Sequence, residues 1–264
     1  MILISPAKTQ DFSLPAPVTF GVRPDFLEDT KLLHKALLKY SPEALSKLMK
    51  ISAKLAQLNY GRFQDWRSSF KLQKKDKYGE YNFKQAIFTF RGDVYTAFAD
   101  SIFNKKEIEY MQKNLRIISG FYGLLTPLTY IRAYRLEMST RLAITEGKSE
   151  CSNLYEYWNK ILTAAIIKTL KPSELIINLA SIEYAKAINF NDIKNPKIDV
   201  KFQNLKNGHP KTIGLFAKQQ RGQMAVWIIK NKIKDIKGLQ EYKNNGYVYN
   251  DKLSTSDTIV FLKS

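Results

Sequence analysis

The amino-acid sequence predicts a mixed α/β protein: one compact domain around a partly parallel central sheet with flanking helices. Three observations carry this. Short, near-continuously apolar runs recur at residues 2–5 (ILIS), 116–119 (RIIS) and 177–181 (INLAS), the pattern of strands buried on both faces of a sheet. Stretches with helically spaced apolar residues lie between them, and parallel strands need such crossovers. No internal repeat or low-complexity linker divides the 264 residues, so residues 1–264 form a single domain.

Taken in order, residues 1–5 are a buried strand that stops at Ser-Pro-Ala-Lys-Thr, a polar loop carrying Lys8. A buried strand running into a basic loop suits anion binding, although the glycines of a P-loop are absent. After a proline-punctuated loop over residues 10–24, Pro24 opens a helix to about residue 40, with Phe26, Leu33 and Leu37 inward. Ser41-Pro42 is an N-cap followed by proline at the first helical position. Ser52 caps a third helix, whose Leu55, Leu58 and Phe63 form an apolar stripe. Residues 70–81 are dense in charge and lack period, as a loop-like insertion does. Residues 82–90 resume a helix or strand and break at Gly92. Asn104 with Glu107 makes a capping box for a helix ending near Leu115.

Residues 117–138, IISGFYGLLTPLTYIRAYRLEM, concentrate the unusual chemistry. Gly120 and Gly123 bracket an aromatic pair, which predicts a tight turn with outward-pointing backbone N–H groups able to hold an anion. Pro127 suits the start of a helix. Tyr134, Leu136 and Met138 alternate with Arg135 and Glu137, the period of a half-buried strand. A small link over residues 145–151 leads to an amphipathic helix at 153–170 and then a buried strand at 175–179. Another helix starts at Ser181 with Glu183 and Tyr184. Strands near 198–202 and 211–217, a basic helix at 218–232 and a last strand at 258–262 complete the chain.

The net charge of +18 favours a polyanionic partner. Most basic residues are lysine, so a lysine-coated surface of purely compositional origin is the alternative. Distribution favours a binding face: residues 186–243 hold thirteen Lys or Arg against four acidic residues. No run approaches the ~20 apolar residues of a membrane span, and the start lacks a signal-peptide pattern, which predicts a cytoplasmic protein. The single cysteine, Cys151, excludes an internal disulfide, and His34 and His209 are the only histidines. Neither a peroxide-reducing thiol pair nor a His-rich iron cage is available, and no metal or cofactor is expected.

Parallel sheets bind ligands beyond their strand C-termini. If the three apolar strands are neighbours, Ser5, Lys8, Ser119, Gly120, Asn178, Ser181 and Glu183 share one cleft. Serine at these places equally suits capping of the next helix. On the basic helix, Lys218 and Arg221 lie three apart on one face, and Gly222 implies close backbone contact.

Seven blocks of the sequence carry a family resemblance: SPAKT (5–9), RGDVYTAF (91–98), SGFYGLLTPL (119–128), YRLEM (134–138), LYEYW (154–158), INLASIEY (177–184) and AKQQRG (217–222). In identity and order they resemble the YaaA family of peroxide-stress proteins. The resemblance implies a bacterial protein of unusual mixed α/β topology, with a positive cleft and a helix-hairpin-helix-like element. It further implies sequence-independent binding of duplex or branched DNA and a role in limiting free iron during hydrogen peroxide stress. Carried onto this chain, the DNA-binding set is Lys8, Ser119, Gly120, Tyr122, Gly123, Arg135, Lys218 and Arg221. Gln219 departs from the pattern, standing where a third basic residue is expected, and the 70–81 block is longer than usual. The competing expectation is an enzyme on a nucleotide, nucleobase or nucleic acid. There Lys8 would hold phosphate, Asp93 or Glu183 would act as acid or base, and Tyr122 or Tyr184 would orient the substrate. An internal ion-pair network is the plain alternative for the same residues.

Overall fold

A computed structural model describes residues 1–75, 79–146 and 149–264. Its centre is an eight-stranded mixed sheet, labelled here along the chain: β1 (Ile2–Ile4), β2 (Leu115–Ser119), β3 (Gly123–Leu125), β4 (Ile176–Asn178), β5 (Lys197–Lys206), β6 (His209–Lys211), β7 (Tyr247–Tyr249) and β8 (Thr258–Lys263). The order is β7-β8-β5-β4-β1-β2-β3, with β6 paired to β5. β1 runs parallel to β4 on one side and β2 on the other, with Ile2 opposite both Ile177 and Leu115. The three apolar runs are therefore adjacent at the middle of the sheet, where each residue of β1 is buried. β4/β5 and β5/β8 are also parallel, whereas β2/β3, β5/β6 and β7/β8 are antiparallel.

Six longer helices flank the sheet: α1 (Leu27–Leu37), α2 (Pro42–Met49), α3 (Ala53–Asp65), α4 (Lys105–Asn114), α5 (Leu154–Thr169) and α6 (Gly214–Asn231). Local chemistry sets their ends. Ser41 accepts from Ala44 N–H with Pro42 following, Ser52 accepts from Leu55 N–H, and Asn104 and Glu107 complete a capping box. In α6, Met224, Ala225, Ile228 and Ile229 all face the core.

Several expectations are corrected. The turn at residues 119–123 joins two strands, with Ser119 opposite Gly123, so this segment is a β-hairpin that continues as a strand, β3, up to the point where a helix was expected to restart. Pro127 starts no helix. Residues 134–138 form no strand, yet Tyr134, Leu136 and Met138 are all buried. The side-chain alternation survives because an extended segment turns alternate residues inward with or without a ladder partner. In α3 the buried residues are Ala56, Asn59 and Phe63, while Leu58 is exposed. The strand expected at 211–217 ends at Lys211, and α6 begins at Gly214. The short, half-exposed β7 has no counterpart in the sequence-based expectation. Within the 70–81 block, residues 76–78 lie outside the described residues, while Phe70 is buried against Phe83. The 145–151 link belongs to two short antiparallel strands, Ile144–Glu146 and Ser149–Cys151, and residues 147–148 lie outside the described residues.

Candidate functional site

The C-terminal ends of β4, β1 and β2 gather most of the sequence blocks singled out above. Ser5, just beyond β1, accepts a hydrogen bond at Oγ from the Ser181 N–H at 2.8 Å and donates to Ser181 Oγ at 3.2 Å. Ser181 occupies the N-cap of the turn Ile182–Ala185, but its side chain makes no cap bond, so it ties two strand ends together instead. The Ser5 carbonyl accepts from the buried Tyr95 hydroxyl at 2.8 Å. Tyr95 follows the turn at Gly92, where φ is +129° and a Cβ would stand 3.8 Å from the Ala7 Cβ. Val94, on the same turn, receives α6: a Cβ at Gly222 would overlap the Val94 carbonyl oxygen. That is the close approach anticipated from a glycine inside a helix, and it fixes the AKQQRG block against the RGDVY block.

Lys8 and Arg135 converge on one carboxylate. Lys8 Nζ lies 2.8 Å from Glu137 Oε2, and Arg135 Nη2 lies 3.1 Å from Glu137 Oε1. Lys8 is largely exposed, whereas Arg135 and Glu137 are mostly covered. The neighbouring hollow, lined by Gln10, Tyr134 and Tyr184 among others, has a volume of only about 10 Å³. Burial pushes the Tyr134 and Tyr184 hydroxyls far above the usual phenol range. Both therefore stay protonated and can act only as neutral hydrogen-bonding groups. The Arg135 Nε is buried without a hydrogen-bond partner, and so is the Arg221 Nε. Arg221 has no carboxylate within ion-pair distance among the described residues. Desolvation lowers its pKa. Lys218, one turn earlier, is exposed.

The glycine hairpin takes a place opposite to the one expected. Phe121 and Tyr122 are fully buried, and their N–H groups donate to Ser119 Oγ at 3.3 and 3.0 Å, so these donors point inward. Ser119 Oγ also meets the Tyr134 hydroxyl at 2.7 Å. The Gly120 carbonyl accepts from Trp158 Nε1, and a Cβ at Gly120 would stand 2.5 Å from the Leu136 carbonyl. Gly123 adopts φ +71° against the Trp158 ring. The Tyr122 hydroxyl accepts from Trp66 Nε1 and from the Arg132 N–H, both at 3.0 Å, and burial pushes its pKa up to about 12. Ser119, Gly120, Tyr122 and Gly123 thus form the packed underside of the site. The physical reason is that an FY pair carries too much apolar surface to leave in water.

Among the enzyme candidates, Glu183 accepts from the Ser139 N–H and hydroxyl and has no link to Lys8. Asp93 lies half-buried on the Gly92 turn. Sequence reasoning missed Glu137, Tyr95 and Arg62. Glu137 was legible in outline, since two residues along an extended segment return to the same side as Arg135. The Arg62 guanidinium is lowered by desolvation, with Glu80 opposing and Arg135 reinforcing the shift. It precedes Arg135 by 73 residues, and no local pattern pairs them.

Fold and site together define a mixed α/β protein built on one large sheet, with Lys8 and Arg135 sharing the Glu137 carboxylate beside the strand ends. Comparison with known proteins identifies it more narrowly. The model of the family described as peroxide stress protein YaaA matches residues 1–253, and the chain belongs to that family. Among its relatives, a UPF0246 protein of Marinomonas sp. is 44% identical over 262 residues, covering 99% of this chain and 96% of the relative. One from Shewanella sp. (strain W3-18-1) is 43% identical over 265 residues, covering 100% and 98%. One from Aliivibrio fischeri (strain MJ11) is 40% identical over 263 residues, covering 99% and 97%. Membership is consistent with a stress-response role.

Proposed function

We propose that this protein acts in the peroxide stress response by binding DNA, duplex or branched, through its phosphates and without reading sequence. The observation that supports this most directly is that two cations share one carboxylate while a further, desolvated arginine has none among the described residues. Lys8 and Arg135 share the single carboxylate of Glu137, and the partly buried Arg221 has none among the described residues. A desolvated guanidinium without an internal acceptor calls for an external anion, and a phosphodiester matches its donor geometry. Lys8, Arg135, Lys218 and Arg221 are the phosphate contacts on this reading, while Ser119, Gly120, Tyr122 and Gly123 support the surface from beneath. Protection against peroxide then comes from covering DNA and from limiting iron-driven damage to it, not from reducing peroxide.

The reading as an enzyme has less support. A hollow of about 10 Å³ holds roughly one water molecule and not a nucleobase. The candidate acid or base Glu183 is occupied by Ser139.

Fluorescence anisotropy of labelled duplex and four-way-junction DNA across a salt series tests the proposal. Each phosphate contact contributes about −0.9 to the slope of log K against log[salt]. Lys8→Met and Arg221→Met should each make the slope shallower by about that amount, equally for unrelated sequences. A slope near zero in the wild-type protein would refute DNA binding.

A further inference from the structure

A second chamber, beside the Gly92 turn, is lined by none of the proposed phosphate contacts. Between the 14–18 loop, residues 84–91 and residues 98–108 is a cavity of about 370 Å³. Its walls are mainly apolar, with Phe88, Phe98, Ile102 and Ile108 among them, and Lys84 and Arg91 are set into the same wall. The volume falls within the roughly 300–1,000 Å³ range of small-molecule sites. Ile102 is 91% exposed, so a large apolar side chain stands in solvent at the border of an apolar chamber.

The charges in this wall are unevenly satisfied. Arg91 Nη2 pairs with Asp11 Oδ2 at 3.0 Å, and Asp11 Oδ1 accepts from the Ser13 N–H and hydroxyl. The Asp11 carboxylate is thereby engaged at both oxygens. Lys84 is 1% exposed, and its Nζ donates one hydrogen bond, at 3.0 Å, to the neutral Asp11 carbonyl. Among the described residues it has no ion pair. An ammonium carries three donors, and burying one with its donors unmet is costly. The local sum over Lys84, Arg91 and Asp11 is one positive charge in an apolar setting.

We propose that this cavity binds a small amphipathic monocarboxylate, its carboxylate meeting the Lys84 ammonium and its apolar body filling the chamber beside Phe88, Phe98 and Ile108. Charge balance selects the head group. A monoanion cancels the surplus, a phosphate dianion would leave a second charge uncompensated against apolar walls, and a neutral molecule would leave Lys84 unpaired. Burial already lowers the Lys84 pKa, with Asp11 opposing and Arg91 adding to the shift, and a bound carboxylate would raise it again. This site is independent of the DNA-binding proposal.

Isothermal titration of the full chain with sodium octanoate, octan-1-ol and octylamine tests it. Octanoate should bind the wild type at least ~10-fold more tightly than either analogue, the discrimination expected of a charge-assisted pair in an apolar site. Lys84→Met keeps the aliphatic stem and should lower octanoate affinity to that of octanol, while Lys84→Arg should retain the preference for octanoate. Ala99→Trp, at an exposed position in the lining, should block all three probes without touching the core. Circular dichroism establishes that each variant is folded, and salt-dependent DNA binding by the variants should match wild type. Equal binding of octanoate and octanol, or undiminished octanoate binding in folded Lys84→Met or Ala99→Trp, would overturn the proposal.

Discussion

Removing the Glu137 carboxylate should strengthen DNA binding, although it deletes a residue at the centre of the site. Glu137 is the one carboxylate that holds both Lys8, at 2.8 Å, and Arg135, at 3.1 Å. Glu137→Gln keeps the shape and a hydrogen-bonding oxygen but releases two cations. Both already face phosphate in the wild type but share one compensating charge, so its removal raises the local net charge by one and steepens the slope of log K against log[salt] by up to about 0.9, the value of a single contact. Between 50 and 200 mM salt that adds roughly a 3.5-fold change in affinity to the wild-type dependence. The folded state should lose about 1–3 kcal/mol, because Arg135 is mostly covered and its Nε already lacks a partner. Anisotropy titrations at four salt concentrations give the slope, and thermal denaturation gives the stability. A folded Glu137→Gln protein that binds more weakly, with a shallower slope, would refute the assignment of Lys8 and Arg135 to phosphate and recast the trio as an internal ion-pair network.

Four other outcomes are expected. Tyr122→Phe should cost about 1–3 kcal/mol by leaving the Trp66 and Arg132 donors unmet, yet leave the salt slope of DNA binding unchanged; a flatter slope would return the hairpin to the binding surface. Gly222→Ala should destabilise by about 1–3 kcal/mol through overlap with the Val94 carbonyl. Gly61→Ala, with nothing within 4 Å of the added Cβ in α3, should stabilise by up to ~1 kcal/mol, so the two melting temperatures should move in opposite directions. His34 has its pKa lowered, first by desolvation, with the Phe63 carbonyl opposing and Arg67 adding to the shift. The unfolded chain therefore takes up this proton at higher pH than the folded one. Its contribution is fully present above the unfolded value of about 6.5 and is lost as pH falls through the folded value, and denaturant titrations from pH 8 to 5 should show that loss diminished in His34→Gln.

The sequence by itself determined the strand-forming runs, the helix caps and the identity of the blocks that matter. ILIS, RIIS and INLAS are adjacent strands because continuous apolar character can be buried only between neighbours on both sides. Ser41, Ser52 and Asn104 begin helices because capping is chemistry within four residues. Gly222 announced a close contact because a helix tolerates glycine there at a cost that packing must offset. Tertiary structure alone decided direction and partnership. The turn around Gly120 and Gly123 has the composition of an anion-binding loop, but its donors turn onto the adjacent Ser119 Oγ, and Trp158 and the Leu136 carbonyl, from later in the chain, close over it. Whether Lys8 meets Arg135 or Glu183 depends on how a strand end and a later loop cross, and they meet at Glu137. Lys84 shows the same limit: a lysine in FKQAI carries no local sign of burial, and only its strand pairing with Ile131 and its bond to the Asp11 carbonyl, both distant in sequence, go with its place as a buried, underused cation.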